Sequence, residues 1–344
     1  MSHHSSLHSV SPIRFAASRR TLAARLRLAV IVGAIALTFS ACSSGFTALG
    51  RKAQRRDFTR PNSIPAPANN PSSAEKVELG RALFAEKRLS GDHTISCATC
   101  HDPQRDFQDG RASPLGIAPP APTVAPRRTP TLWNVGEQRK FFWDGRSPSL
   151  EDQALKPIEN PAEMGLPLAE AARRLGNDPA WRAAFAAAFP GERFVTPQQI
   201  GQALAVFERT LVSPEAPFDR WVRGDEAALG EPAQRGFALF TGKADCARCH
   251  SGWALTDGKL HDVGLTMAPQ DRGRSRFKTP TLRELTGRAP FMHDGSLASL
   301  EAVVRHYESG GARRLGTPAR FTLTAGERED LVAFLRSLDS RSSE

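Results

Sequence analysis

The chain has 344 residues, of which 40% are hydrophobic, so it is long enough for two domains of ordinary size. A formal net charge of +10 is typical of proteins that bind nucleic acid or membranes, but nine of these charges lie in residues 1–41 and 51–60. About one net positive charge remains after Arg60. A body that is nearly neutral lacks the basic surface typical of nucleic-acid-binding proteins.

The N-terminus is typical of an export signal, 1–41. Two arginines precede an apolar run, 28–39, that is too short for a comfortable membrane span. Small residues before Cys42 resemble a bacterial lipoprotein cleavage site, which predicts a lipidated Cys42 and a periplasmic protein held to a membrane only by its lipid. Plain cleavage near Ala41 and an uncleaved anchor are the alternatives. The basic, then proline-rich stretch 42–72 is predicted to be a tether.

Helix signals follow in chain order. Capping-box patterns or helical spacing occur at Ser72-Ser-Ala-Glu75, Ser149-Leu-Glu-Asp152, Leu300 to Tyr307 before Gly310-Gly311, and Thr324-Ala-Gly-Glu327. Alternating β patterns are scarce. The sequence therefore predicts an all-α fold.

An internal repeat organises this helical body. Three pairs of segments recur at an offset of 150 residues: Thr129-Pro-Thr-Leu with Thr279-Pro-Thr-Leu, Asp144-Gly with Asp294-Gly, and Ser149-Leu-Glu with Ser299-Leu-Glu. Such register over this length predicts two copies of one domain. We place the copies at 73–224 and 225–344.

Each copy contains a Cys-x-x-Cys-His motif, Cys97-Ala-Thr-Cys-His101 and Cys246-Ala-Arg-Cys-His250. This is the attachment signature of c-type haem, because two thiols on one turn can form thioethers to the vinyl groups while the next histidine binds iron. Cys97, Cys100, Cys246 and Cys249 are thus predicted to attach two haems, with His101 and His250 as proximal ligands. One alternative is zinc, but zinc-binding pairs normally converge within tens of residues. A thioredoxin-type redox pair is opposed by the adjacent histidine.

The motifs together resemble those of the bacterial dihaem cytochrome c peroxidases and their MauG-type relatives, from about Ala74 to Leu338. The resemblance rests on the segments Phe142-Trp-Asp-Gly-Arg146, Leu150-Glu-Asp-Gln-Ala-Leu, Asn160-Pro-Ala-Glu-Met-Gly165, Phe277-Lys-Thr-Pro-Thr-Leu and His293-Asp-Gly295. It implies two tandem cytochrome c-like domains, each with one covalent haem c. The N-terminal haem would be peroxidatic and the C-terminal haem would transfer electrons.

The repeat also allows the far sides of the two irons to be compared, because Pro157 and Tyr307 are 150 positions apart. Proline has no ligating side chain, so the first haem is predicted to have an open position. Tyrosine can ligate iron, so the second is predicted to be six-coordinate. The resemblance agrees, since Tyr307 aligns with the tyrosine ligand of MauG-type enzymes and the methionine ligand of ordinary peroxidases. A core aromatic role is the alternative for Tyr307, and His306, Met292 and Met267 are rival ligands.

Further roles at the first haem are implied by the resemblance. Glu163 matches the carboxylate that moves a proton during O–O cleavage. Gln153 matches a distal hydrogen-bonding residue, and Trp143 matches a tryptophan between the haems. Without the resemblance these would be a solvated glutamate, a surface glutamine and a core tryptophan. The loop 102–128 lacks the histidine that blocks the first haem in many oxidised relatives, and Met164, next to Glu163, is the alternative blocking ligand.

One departure concerns calcium, which the family usually binds between its domains through an asparagine and two carbonyls. Arg128 stands at the asparagine position and Arg288 at one carbonyl position, while Pro290 matches the other. Two guanidinium groups would repel the ion, so we expect their charge to replace calcium.

The leading functional prediction is a peroxidase that reduces hydrogen peroxide to water with electrons from a small cytochrome c or cupredoxin. The alternative is a MauG-type enzyme that uses peroxide and a high-valent dihaem state to oxidise residues of a partner protein. A dihaem electron carrier is a third candidate, against which Pro157, Glu163 and Gln153 argue. The resemblance makes a homodimer one possible assembly.

Overall fold

A computed structural model describes residues 55–117, 127–265, 276–311 and 321–342. The predicted signal 1–41, Cys42 and Met267 lie outside these ranges. By its internal contacts the chain divides into Met1–Arg55 and a compact unit, Arg56–Glu344, to which all that follows refers. Within the described part, no helix has the length and apolar character needed to cross a membrane.

The N-terminal half of the compact unit contains six α-helices among its described residues. They are α1 Ala74–Ala85, α2 Cys97–Cys100, α3 Leu150–Glu159, α4 Leu168–Gly176, α5 Pro179–Ala188 and α6 Pro197–Arg209. Short 3₁₀ turns lie at Lys87–Leu89, Pro103–Arg105 and Val135–Glu137. Their apolar faces form one core cluster that runs from Leu79 to Leu211.

The C-terminal half is also mostly helical. Its described helices are α7 Pro217–Val222, α8 Glu231–Thr241, α9 Leu300–Glu308 and α10 Ala325–Arg336, with 3₁₀ turns at Glu226–Ala228 and Cys246–Arg248. Two short antiparallel strands, β1 Leu260–Asp262 and β2 Arg276–Lys278, pair His261 with Phe277. The all-α prediction missed this ribbon, because three-residue strands are too short to show an alternating pattern.

Local capping explains where the helices begin. Ser149 and Ser299, 150 positions apart, each accept a backbone hydrogen bond at 3.1 Å and start α3 and α9. Thr324 and Glu327 form the predicted capping box of α10. The cap of α1 is Ser73 rather than Ser72.

Part of the predicted tether is packed against the body. Phe58 is 3% exposed and its ring lies 5.9 Å from Phe218 and 5.5 Å from Phe237 in the second core. Asn70 is buried and donates at 2.8 Å to Glu151 on α3. Proline prevents regular structure in this stretch, but an apolar ring and a satisfied amide still anchor it.

A glycine lies at the closest crossing of each half. Gly80 of α1 faces α6, where an added Cβ would lie 2.1 Å from the carbonyl oxygen of Ala203. Gly236 of α8 faces α10, where the corresponding distance to the Asp330 oxygen is 2.0 Å. The backbones of each helix pair therefore approach so closely that only glycine, which has no side chain, fits at the contact.

We expect Gly236→Ala to destabilise the protein by about 1–3 kcal/mol, because the methyl group meets backbone that must move. Gly326→Ala on α10 is the matched control, since no heavy atom lies within 4 Å of its added Cβ. Urea unfolding of the two variants measures the difference. Equal midpoints for both variants would contradict the proposed close approach.

Candidate haem sites

The two motif histidines make the same hydrogen bond. His101 Nδ1 lies 3.0 Å from the carbonyl oxygen of Phe107, and His250 Nδ1 lies 3.0 Å from that of Leu255. A carbonyl oxygen can only accept, so each ring donates from Nδ1 and leaves Nε2 available to a metal. A partner of this kind fixes the tautomer and orientation of most metal-binding histidines.

The motif cysteines are free thiols and do not converge on one metal. Among the described residues, one set of His, Cys and acidic ligand atoms lies within 4.8 Å of one another: Cys249, Asp257 and His261. His261 Nε2 is already 2.7 Å from Asp257 Oδ2. The described residues therefore do not form the shared zinc site that was the alternative for the two motifs.

A cavity of about 900 Å³ lies against the first motif. Cys97, Cys100 and His101 form part of its wall, and its volume lies in the range of about 300–1,000 Å³ that is usual for cofactor sites. Five cationic side chains also line it: Arg127, Arg128, Arg146, Lys278 and Arg288. The donor set fits a haem c, which needs two thiols for its vinyl groups, an imidazole for its iron and cations for its propionates.

The other wall of this cavity comes from α3 and the turn that follows it. Gln153 and Pro157 are one helical turn apart and both line the cavity, together with Glu163. Pro157 presents no ligating atom. The structure thus brings together the three residues that the sequence predicted for the distal side of the first haem.

Glu163 is held by Asn160. Its backbone N–H donates to the Asn160 carbonyl at 2.9 Å, and its Oε1 accepts from Asn160 Nδ2 at 2.7 Å. Burial raises the pKa of the Glu163 carboxyl, although the Asn160 bond and the charge of Arg146 act in the opposite direction. A carboxyl with a raised pKa beside the cavity is suited to proton transfer near neutral pH.

Tyr307 occupies a comparable place on α9, beside the second motif. Burial raises the pKa of its hydroxyl, and charge on Cys246 and Cys249 would raise it further. Cysteines in thioethers carry no charge, so burial alone would then keep the pKa of Tyr307 above its ordinary value.

The rival ligands of the second site are engaged elsewhere or lie outside the described residues. His306 Nε2 lies 2.8 Å from the carbonyl oxygen of Val263. Met292 is half-buried and packs against the second core. Met267 is not among the described residues.

Trp143 lies where the two halves meet. It is 8% exposed, lines the cavity, and donates from Nε1 to the Arg128 carbonyl at 2.8 Å. The Lys278 N–H donates to the Trp143 carbonyl at 2.7 Å, and the Arg128 N–H donates to the His293 carbonyl at 2.9 Å. Trp143 and His293, which are 150 positions apart, also contact each other edge to face at 6.4 Å.

The position expected for calcium contains a guanidinium group instead. Arg128 is 2% exposed and donates from Nη2 to the Arg288 carbonyl and to Gln108 Oε1. Burial, and then the charge of Arg288, lowers the pKa of Arg128 to about 9. The guanidinium group on the Arg288 carbonyl would repel a divalent ion there, so these residues do not fit calcium.

Two further buried groups of the cavity were missed by the sequence analysis. Glu208 on α6 lines the cavity beside Cys97, and burial raises its pKa to about 8. Lys278 on β2 lines it from the other half. The repeat offered a signal for Lys278, since Arg128 is its counterpart at the offset of 150. No comparable signal marks Glu208.

Comparison with known proteins agrees with this geometry. A model of di-haem cytochrome c peroxidases matches residues 74–227, and a model of cytochrome c matches residues 233–339. The methylamine utilization protein MauG of Methylorubrum extorquens is 45% identical over 334 residues, which cover 90% of this chain and 92% of that protein. The chain belongs to the di-haem cytochrome c peroxidase family, whose members are oxidoreductases that act on peroxide.

Both branches of the family are represented among the relatives. The cytochrome-c peroxidase IdrP1 of Denitromonas iodatirespirans is 35% identical, with 80% of this chain and 84% of that protein covered. The crystal structure of a MauG-like protein associated with microbial copper homeostasis superimposes with a TM-score of 0.72 at 33% identity. The aligned region covers 82% of this chain and 95% of the MauG-like protein. The predicted family is therefore confirmed, and the relatives do not separate the branches.

We expect the purified protein to contain no stoichiometric calcium and to unfold at the same temperature with and without a chelator. Metal analysis after dialysis measures this. Arg128→Asn removes the charge and supplies an amide oxygen, so it is the variant in which calcium binding should rise. One tightly held calcium per wild-type chain would contradict the exclusion.

Proposed function

We propose that the chain is an exported dihaem peroxidase that reduces hydrogen peroxide to water with electrons from a small redox protein. The observation that carries this proposal is the distal wall of the first cavity, where a buried carboxyl with a raised pKa stands beside a proline that has no ligating atom. An electron carrier needs a filled sixth position and no proton-transfer group. Pro157 cannot fill the sixth position, and Glu163 is a proton-transfer group, so the first site meets neither requirement.

Haem bound at Cys97, Cys100 and His101 would supply the iron to which peroxide coordinates. The protein's own contribution is proton transfer, because reducing one peroxide to two waters consumes two electrons and two protons. Glu163 takes the proton of the near oxygen and returns it to the far oxygen, which leaves as water. Gln153 donates from its amide and orients the peroxide.

In this proposal Tyr307 would be a second protein ligand of the haem held by Cys246, Cys249 and His250, and it would limit that haem to electron transfer. Trp143 lies between the halves, and its indole can pass an electron or a hole between the two haems. The donor would be a small cytochrome c or cupredoxin in the periplasm. Lipidation of Cys42, if it occurs there, would hold the enzyme to a membrane.

The second candidate is a MauG-type enzyme that oxidises residues of a partner protein. Two observations favour it: a tyrosine beside the second motif, and 45% identity to a methylamine utilization protein MauG. An anionic ligand stabilises oxidised iron and would prolong a state able to attack a protein. Steady-state peroxide turnover with a reduced small cytochrome c separates the candidates, because only the peroxidase should sustain it.

Replacing Glu163 with glutamine keeps its size and removes its titratable proton. We expect Glu163→Gln to slow the peroxide reaction by about 10²–10⁴-fold, the usual contribution of a positioned acid–base group. The wild-type rate should fall as pH decreases through the raised pKa of Glu163, and the variant should lose this dependence. Stopped-flow mixing measures both, with Glu159→Gln, an exposed change on α3, as control. A variant rate within about threefold of wild type would remove Glu163 from the mechanism.

We also expect the oxidised enzyme to react with peroxide without prior reduction, because residues 102–128 contain no histidine to close the first site. Electron paramagnetic resonance of the protein as isolated should show one high-spin and one low-spin ferric haem. Peroxide added to this sample should change the spectrum at once. Two low-spin signals, with no reaction until an electron is supplied, would mean that another residue blocks the iron.

A further inference from the structure

Lys278 is a buried cation without an acidic partner among the described residues. It is 9% exposed, lies on β2 and faces the cavity of the first motif. Its Nζ contacts one side chain, the amide oxygen of Gln138. Burial lowers the pKa of Lys278 to about 7, and no carboxylate of the described residues offsets this effect.

Two other cations of this body have acidic partners, whereas the buried Arg128 and Arg288 donate to neutral oxygens. Arg283 lies 2.9 Å from Asp219, and Arg127 lies 2.9 Å from Asp144. Arg288 donates to the carbonyl oxygens of Thr281 and Arg283 at 2.9 and 2.8 Å. An unpaired ammonium group in such surroundings is unfavourable, so an anion is expected to reach Lys278.

The backbone holds Lys278 in this position. Its N–H donates to the Trp143 carbonyl at 2.7 Å, and β2 pairs it with Leu260. The side chain therefore enters, from the C-terminal half, a cavity whose thiols and imidazole belong to the N-terminal half.

We propose that the Lys278 ammonium group pairs with a propionate of the haem attached at Cys97 and Cys100. The vinyl and propionate groups of haem lie on opposite edges of the macrocycle. Thioethers to Cys97 and Cys100 at one end of the cavity would therefore place the propionates at the other end. The inference requires that this haem be attached, and it does not depend on how peroxide reacts.

Lys278 is then a positioning residue that acts on the first haem through charge. A cation beside a propionate favours the reduced, less positive iron and so raises the reduction potential. It also joins the C-terminal half to the cofactor of the N-terminal half. Loss of the charge should shift the first haem and leave the second almost unchanged.

The test compares Lys278→Met, Lys278→Gln and Lys278→Arg in the holoenzyme, with Lys259→Met as an exposed control just before β1. Spectroelectrochemical titration follows each haem separately, and resonance Raman follows the propionate bending mode. For Met and Gln we expect at least a tenfold fall in the equilibrium constant for reducing the first haem, which is about 59 mV for one electron. The propionate mode should shift too, while Lys278→Arg and Lys259→Met stay near wild type.

Haem content, measured as the pyridine haemochrome, serves as the folding control. Loss of one haem in the Met and Gln variants but not in Lys278→Arg would also support the proposal, because attachment would then depend on the charge. Loss in all three would assign Lys278 a steric role and overturn it. Unchanged potential and propionate mode in fully loaded Lys278→Met, or a shift confined to the second haem, would overturn it as well. None of these outcomes depends on peroxide reactivity, so the test is independent of the proposed peroxidase function.

Discussion

Two reciprocal backbone hydrogen bonds set the geometry on which both sites depend. The Arg128 N–H binds the His293 carbonyl, and the Lys278 N–H binds the Trp143 carbonyl. Each donor precedes a Thr-Pro-Thr-Leu segment, and the two donors, like the two acceptors, are 150 positions apart. The crossed pair fixes Trp143 between the halves and places cations from both halves in one cavity.

The cavity at the junction of the two halves is rich in positive charge. The cavity is lined by five cationic side chains, whereas the carboxyls of Glu163 and Glu208 have raised pKa values and tend toward the neutral form. Three of the five cations, Arg128, Lys278 and Arg288, are buried, and an excess of buried positive charge is unfavourable in the protein alone. It becomes favourable once a dianionic cofactor is attached, so folding of this region and loading of the first haem should reinforce each other.

The two iron sites differ mainly at one position of the repeat. Pro157 on α3 presents no ligating atom to its cavity, whereas the corresponding residue on α9 is Tyr307, which has a hydroxyl group. In the proposed function, this difference would admit a substrate to the first site and exclude it from the second. Peroxide reduction and oxidation of a partner protein both need this asymmetry, which is why the site geometry alone serves either branch of the family.

The sequence by itself determined the chemistry that depends on adjacent residues. Thioether attachment requires two cysteines and a histidine within five positions, helix starts at Ser149 and Thr324 require local caps, and the offset of 150 pairs Pro157 with Tyr307. Tertiary structure decided what depends on groups far apart in the chain. It placed Lys278 and Glu208 in the wall of the first cavity, brought Phe58 from the predicted tether into the second core, and seated the Arg128 guanidinium on the Arg288 carbonyl. The energies of these contacts come from burial and from charge at short range, and no local pattern records which distant segments exclude water from each other.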